Sequence, residues 1–135
     1  MLSLPRALAD EMIAHARSEL PNEACGIFGG ELDGELRTFH AARNADASPY
    51  RYSVAADDLL RIALAIDEAD DDVAAIYHSH TMSRATPSRT DMELATWPEA
   101  AYIIVSLASD PPDIRAWRLA EGSPPAALEL TITPT

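Results

Sequence analysis

The sequence predicts a single α/β domain over residues 1–135, a mixed β-sheet with helices packed on it. Three observations predict it. Apolar residues recur at spacings of three and four over 5–20 and again over 56–69, the period of helices with one buried face. The run Ala101-Tyr102-Ile103-Ile104-Val105-Ser106-Leu107 is almost unbroken in apolar residues, as a central strand covered on both faces requires. Helices alternate with strands for two thirds of the chain and a β-rich stretch follows, the order expected of helices lying on one mixed sheet. At 135 residues the chain is long enough for one real core and too short for two, so folding needs no structural metal.

Along the chain, Leu8, Ala9, Met12, Ile13, Ala16 and Leu20 form the buried face of a first helix from Pro5 to Leu20, entered at Ser3 or Leu4. Pro21-Asn22 breaks it. Ala24 to Gly30 reads as a short buried strand running into a Gly-rich turn, with Glu35 to Ala41 as its hairpin partner. Residues 43–52 are polar, carry turn formers at Asn44, Asp46, Ser48 and Pro49, and show no hydrophobic period, which makes them a loop near the site. Ala56 to Ala69 is a second helix with Leu59, Ile62, Ala63 and Ile66 on one face. Val73 to Tyr77 is a buried strand, Thr81 to Thr86 a polar loop, and Ser88 to Thr96 a short helix closed by Trp97-Pro98. After 101–107, Pro111-Pro112 turns the chain, and Ile114 to Leu119 and Ala127 to Ile132 supply two more strands.

Composition removes several function classes. The net charge of −12 argues against nucleic acid, which demands clustered cations. All ten basic residues are arginine, so lysine Schiff-base chemistry and a lysine-containing phosphate loop are excluded. Cys25 is the single cysteine, leaving no internal disulfide and no cysteine-based zinc ribbon. No apolar run approaches the length of a membrane span, and the first residues lack a basic leader segment. A cytoplasmic protein without membrane contact is the expectation.

The chemistry concentrates at His78-Ser79-His80 and Asp91. At the end of a strand, His78 and His80 point to one face. Pro87-Ser88 opens a helix whose first turn aims Asp91 back at that strand end. Two imidazoles and a carboxylate suit zinc, and three protein ligands leave a position open, which marks a catalytic site over a structural one. The His-x-His pair alone reads equally well as hydrogen-bonded core histidines.

Glu23, then His78-Ser79-His80, ten residues, and Asp91 with Ser88 three before it form a pattern that resembles the JAMM motif of the MPN (Mov34/JAB1) metalloprotease family. The segment from Pro21 to Gly30 is similar to that family's first strand, and the likeness spans Glu23 to Val105. It is strongest to small actinobacterial members that hydrolyse cysteine adducts of a ubiquitin-like sulfur carrier protein. The resemblance implies one MPN (JAB1-like) domain in which His78, His80 and Asp91 bind Zn²⁺. It further implies that Glu23 is the general acid/base, that Ser88 helps hold the tetrahedral intermediate, and that a sulfur carrier protein is the substrate partner. Ser88 is equally a helix N-cap, and one hydroxyl is not expected to do both jobs easily.

Other readings stand beside these. Cys25 with His78 or His80 as base would make a cysteine hydrolase, whereas its bland reading is a small buried residue in an apolar strand. A non-catalytic MPN-fold module binding a metal or a protein tail is the second function class. The intact set Glu23, His78, His80, Ser88 and Asp91 argues against it, because a scaffold has no use for a base beside an open metal position. Arg84 and Arg89 are candidates to hold a substrate's free carboxylate, or are two solvated loop charges. Ser79 faces away from the histidines. His15, His40, Tyr50, Tyr52, Trp97 and Trp117 read as structural. Without appended domains the chain is expected to act alone or as a homo-oligomer.

Overall fold

The computed structural model describes residues 1–134. Its strands are β1 (Leu2–Pro5), β2 (Cys25–Gly30), β3 (Leu36–Ala42), β4 (Asp72–His80), β5 (Ala101–Ser106), β6 (Asp113–Arg118), β7 (Ala126–Leu128) and β8 (Leu130–Thr133). The helices are α1 (Arg6–Ser18), α2 (Ala56–Glu68) and α3 (Arg89–Leu94). Strands β3-β2-β4-β5-β6-β7 form a six-stranded mixed sheet, antiparallel except for the β4–β5 pair, and β1 and β8 form a separate parallel pair. The α/β expectation is met.

The sheet separates two apolar layers. On one face Ala9, Met12 and Ala16 of α1 pack with Leu2, Leu4, Phe28, Leu36, Tyr77, Ile103 and Val105. On the other Ile62 and Ile66 of α2 pack with Cys25, Ile27, Tyr52, Ile76 and Tyr102, and Met92 of α3 joins their edge. Strands β2 and β5 are buried at every position, and so is β4 from Ala74 onward, because both faces are covered. Gly26 lets β2 and β3 close up beneath Tyr77. A Cβ there would lie 2.6 Å from the His40 carbonyl oxygen and 3.1 Å from the Tyr77 ring.

Two readings of the termini need correction. The single strand expected over 127–132 is two. Residues 126–128 pair with β6 in the large sheet, and 130–133 leave it to run parallel to Leu2–Pro5, with Glu129 at the crossover accepting a hydrogen bond from the Leu2 amide. Ser3 and Leu4, read as the entry to the first helix, and Pro5, read as its first residue, belong with Leu2 to the other half of that pair. Leu2 and Leu4 are buried in alternation with Ser3 and Pro5, a period of two over four residues that is too short to compete with the helical pattern behind it. Among the described residues no helix is long and apolar enough to cross a membrane.

Candidate metal centre

Strand pairing brings the acidic and imidazole groups together. Cys25 of β2 lies opposite His78 of β4, and the Ser79 amide donates to the Ala24 carbonyl, so the register carried two residues further sets Glu23 opposite His80. Directly opposed residues share a face, as do residues two apart on one strand, so Glu23, His78 and His80 all stand on the α2 side. Ser79 alternates to the other face, where its buried Oγ accepts the Ala24 amide proton at 2.8 Å and ties the two strands where their ladder ends. The expectation for Ser79 holds.

Asp91 comes from α3. Ser88 is its N-cap: the Asp91 amide donates to Ser88 Oγ at 3.0 Å and the Ser88 amide to Asp91 Oδ2 at 2.9 Å, a reciprocal capping box. Both bonds point the carboxylate inward. The intervening loop is pinned at three places. Ser106 Oγ donates to the Ser83 carbonyl at 2.6 Å, the Trp117 indole to the Ala85 carbonyl at 3.0 Å, and Thr81 Oγ1 to the Pro49 carbonyl at 3.3 Å.

Three ligand atoms converge. His78 Nε2 and His80 Nε2 are 3.3 Å apart, and Asp91 Oδ2 is 3.1 Å from the first and 2.9 Å from the second. All three side chains are buried. His80 Nδ1 lies 2.6 Å from the Arg84 carbonyl oxygen, to which it can only donate. In the neutral ring Nε2 is then a lone pair, and it faces the lone pairs of Asp91. Two acceptors at hydrogen-bond distance require a cation between them, either a proton or a metal. Four ligand atoms around zinc at its usual bond lengths stand about 3.3 Å apart. The three observed gaps fall within a few tenths of that, so the donor set fits.

The electrostatics agree. Burial holds His78 below its ordinary pKa, which favours the neutral ring. Burial opposes charge on His80 too, but Asp91, the Arg84 carbonyl and Glu23 outweigh it and raise its pKa. For Asp91 burial is likewise outweighed, by hydrogen bonds from His78 and His80 that hold the carboxyl well below the usual range. Glu23 is the exception. It is 4% exposed, its Oε1 has no hydrogen-bond partner, and burial pushes its pKa up to about 8, with His80 pulling it down and Asp91 adding to the rise.

The residue pattern matches a family. The family model for prokaryotic homologs of the JAB domain matches residues 5–120. The chain belongs to the prokaryotic JAB family. This JAB domain is 40% identical to the CysO-cysteine peptidase of Mycobacterium tuberculosis over 119 residues, covering 86% of this chain and 81% of the relative. It is 37% identical to the desampylase of Haloferax volcanii over 111 residues, covering 78% and 80%. A solution structure from Desulfitobacterium hafniense superposes with a TM-score of 0.91 at 29% identity, covering 100% of this chain and 94% of that one.

Within this JAB domain the remaining candidates lie outside the cluster. Arg84 is exposed and contributes its carbonyl to His80. The Arg89 side chain is 93% exposed and pairs with Glu93 at 3.2 Å. Cys25 is fully buried, its Sγ within 3.5 Å of the Arg43 carbonyl oxygen, and burial pushes its thiol up to about 12. That environment disfavours a thiolate. Sequence reasoning missed two residues. Tyr52, read as a core aromatic, stacks on His78, and Asn44, read only as a turn former, makes four hydrogen bonds in the adjoining loop.

Proposed function

We propose that the protein is a zinc-dependent peptidase that hydrolyses an amide bond at the C-terminus of a small ubiquitin-like sulfur carrier protein, releasing cysteine, in the cytoplasm. The reading rests on one observation above the others. A buried Glu23 whose Oε1 has no hydrogen-bond partner shares a face with three candidate ligand atoms that lie within 3.3 Å of one another. Leaving a buried carboxyl oxygen without a partner costs about 1–3 kcal/mol, which is hard to account for in a module that only binds. The names of two relatives, a CysO-cysteine peptidase and a desampylase, support cleavage of such a conjugate.

His78, His80 and Asp91 are the residues to hold the ion. When bound there, zinc supplies Lewis-acid chemistry, polarising a carbonyl oxygen and lowering the pKa of water to about 7. Glu23 takes the proton from the attacking water and returns it to the leaving amine; burial raises its proton affinity, and a bound cation would lower it again. Ser88 is free for a second task. Its Oγ accepts from the Asp91 amide through a lone pair, so its own proton remains to be donated to the substrate oxygen as negative charge builds there. Capping and stabilising the oxyanion are therefore compatible. Arg89 and Arg84 offer cations for the leaving group's carboxylate. The Arg89–Glu93 pair is an exposed i,i+4 contact contributing well under about 1 kcal/mol, so Arg89 changes partner at little cost.

Mass spectrometry of a carrier protein ending in Gly-Gly-Cys, incubated with the zinc-loaded enzyme, tests the reading. Loss of one cysteine residue is the expected result. An intact carrier with zinc bound would leave the binding-module reading standing.

A further inference from the structure

The two histidines are held differently. A metal-binding imidazole ordinarily donates its other ring N–H to a carbonyl or carboxylate, which fixes its tautomer and orientation. His80 follows this rule through Arg84. His78 does not, because its Nδ1 is buried and has no hydrogen-bond partner. The second torsion of a histidine side chain is soft, so something else must set the ring plane. Tyr52 lies flat against it, ring centroids 4.3 Å apart and planes inclined by 16°. A ring in that contact cannot turn about its Cβ–Cγ bond without displacing its neighbour.

Tyr52 is itself secured by one amide. Asn44 Nδ2 donates to the carbonyl of Arg51 and Asn44 Oδ1 accepts from the amide of Ser53, both at 3.0 Å, so the chain is gripped on either side of Tyr52. The same Nδ2 donates to the Glu23 carbonyl and the same Oδ1 accepts from the Asp46 amide, again at 3.0 Å. The Glu23 amide in turn donates to Ser48 of that loop. The segment 44–53 thus joins the stacking ring to the main chain of the unpartnered acid.

We propose that Tyr52 is a positioning residue for His78, its stacked ring replacing the hydrogen bond that Arg84 gives His80, and that Asn44 holds Tyr52 in place. The inference rests on the metal reading of the site. Zinc affinity, measured by competition against a chromophoric chelator, tests it without recourse to turnover. Tyr52→Phe keeps the stack and should bind zinc within about twofold of the parent protein. Tyr52→Leu should bind roughly 10–100-fold more weakly, the range for lost orienting contacts around a ligand. Asn44→Ser, too short to span both carbonyls, should fall between them.

Wild-type affinity in Tyr52→Leu would overturn the proposal while leaving the metal site intact. Equal losses in the Phe and Leu variants would also overturn it, since the hydroxyl and not the ring would then matter. A parent protein that takes up no zinc removes the metal reading and this inference together. Should Tyr52→Leu not fold, Tyr52→Met takes its place. If neither folds, Asn44→Ser decides, with unchanged affinity counting against the proposal.

Discussion

Glu23→Gln in the metal-free protein isolates the energetic consequence of burying an unpartnered acid. The folded-state pKa of Glu23 is raised from 4.5 to about 8. Below pH 4.5 the carboxyl is protonated in folded and unfolded chains alike, so it carries no ionisation penalty. Between pH 4.5 and 8 the unfolded chain gives up its proton first, and stability falls as pH rises. Above about 8 the loss is complete. At about 1.4 kcal/mol per pH unit, that interval sets a ceiling of about 5 kcal/mol. The substituted amide has no proton to lose, so the variant should match the parent near pH 4.5 and become progressively more stable than it towards pH 8. Paired denaturant melts of the two chelated proteins at half-unit steps measure the difference. A gap that stays constant from about pH 4.5 to about 8.5 would refute the reasoning. Zinc added back should flatten the parent's slope, because a nearby cation favours the ionised carboxylate.

Purified protein should carry about one zinc per chain, and His78→Ala or Asp91→Ala should lose most of it, since two ligands hold the ion far more weakly than three. Metal analysis finding full zinc in both variants would rule the site out. Zinc-loaded Glu23→Gln should keep its metal yet turn over roughly 10²-fold more slowly, so a near-normal rate there would remove Glu23 as the base. A chelator should abolish activity and zinc restore it, whereas a thiol alkylator should do nothing to the folded enzyme, Cys25 being fully buried. Inactivation by the alkylator alone would revive the cysteine hydrolase. Arg89→Ala should weaken cleavage of a substrate ending in a free carboxylate by about 1.5–3 kcal/mol and barely affect its amidated counterpart. Equal effects on kcat/KM for both would mean that Arg89 supports the loop instead.

The sheet and helices were legible where one period ran long enough to stand out. The buried stripes of α1 and α2 each repeat over 13 residues, and the run at 101–106 has no polar break before Ser106. The β1–β8 pair was not legible. Its strands are four residues each and lie at opposite ends of the sequence, and their parallel pairing of Leu2 with Leu130 depends on tertiary contact alone. Residues 126–133 look continuous because both halves are apolar, and nothing local says that the chain changes sheets at Glu129.

The site divides along the same line. His78, His80 and Asp91 were legible because strand alternation and a helix start constrain direction over a few residues. Glu23 required a strand pairing between segments far apart in the chain, which only the family pattern supplied beforehand. Tyr52 and Asn44 lie in a loop without periodicity, so their bearing on the ligands arises only after the chain has closed around them. Their placement also explains how Glu23 is held although its buried Oε1 has no hydrogen-bond partner. Glu23 is fixed through its peptide groups, by Ser48 and Asn44 at its own amide and carbonyl and by Ser79 at the next amide. Its buried Oε1 is left without a hydrogen bond, which on the proposed reading suits a proton carrier, since one bound tightly in one protonation state would resist exchange. Rigid main chain with an unbonded side-chain terminus satisfies both demands at once.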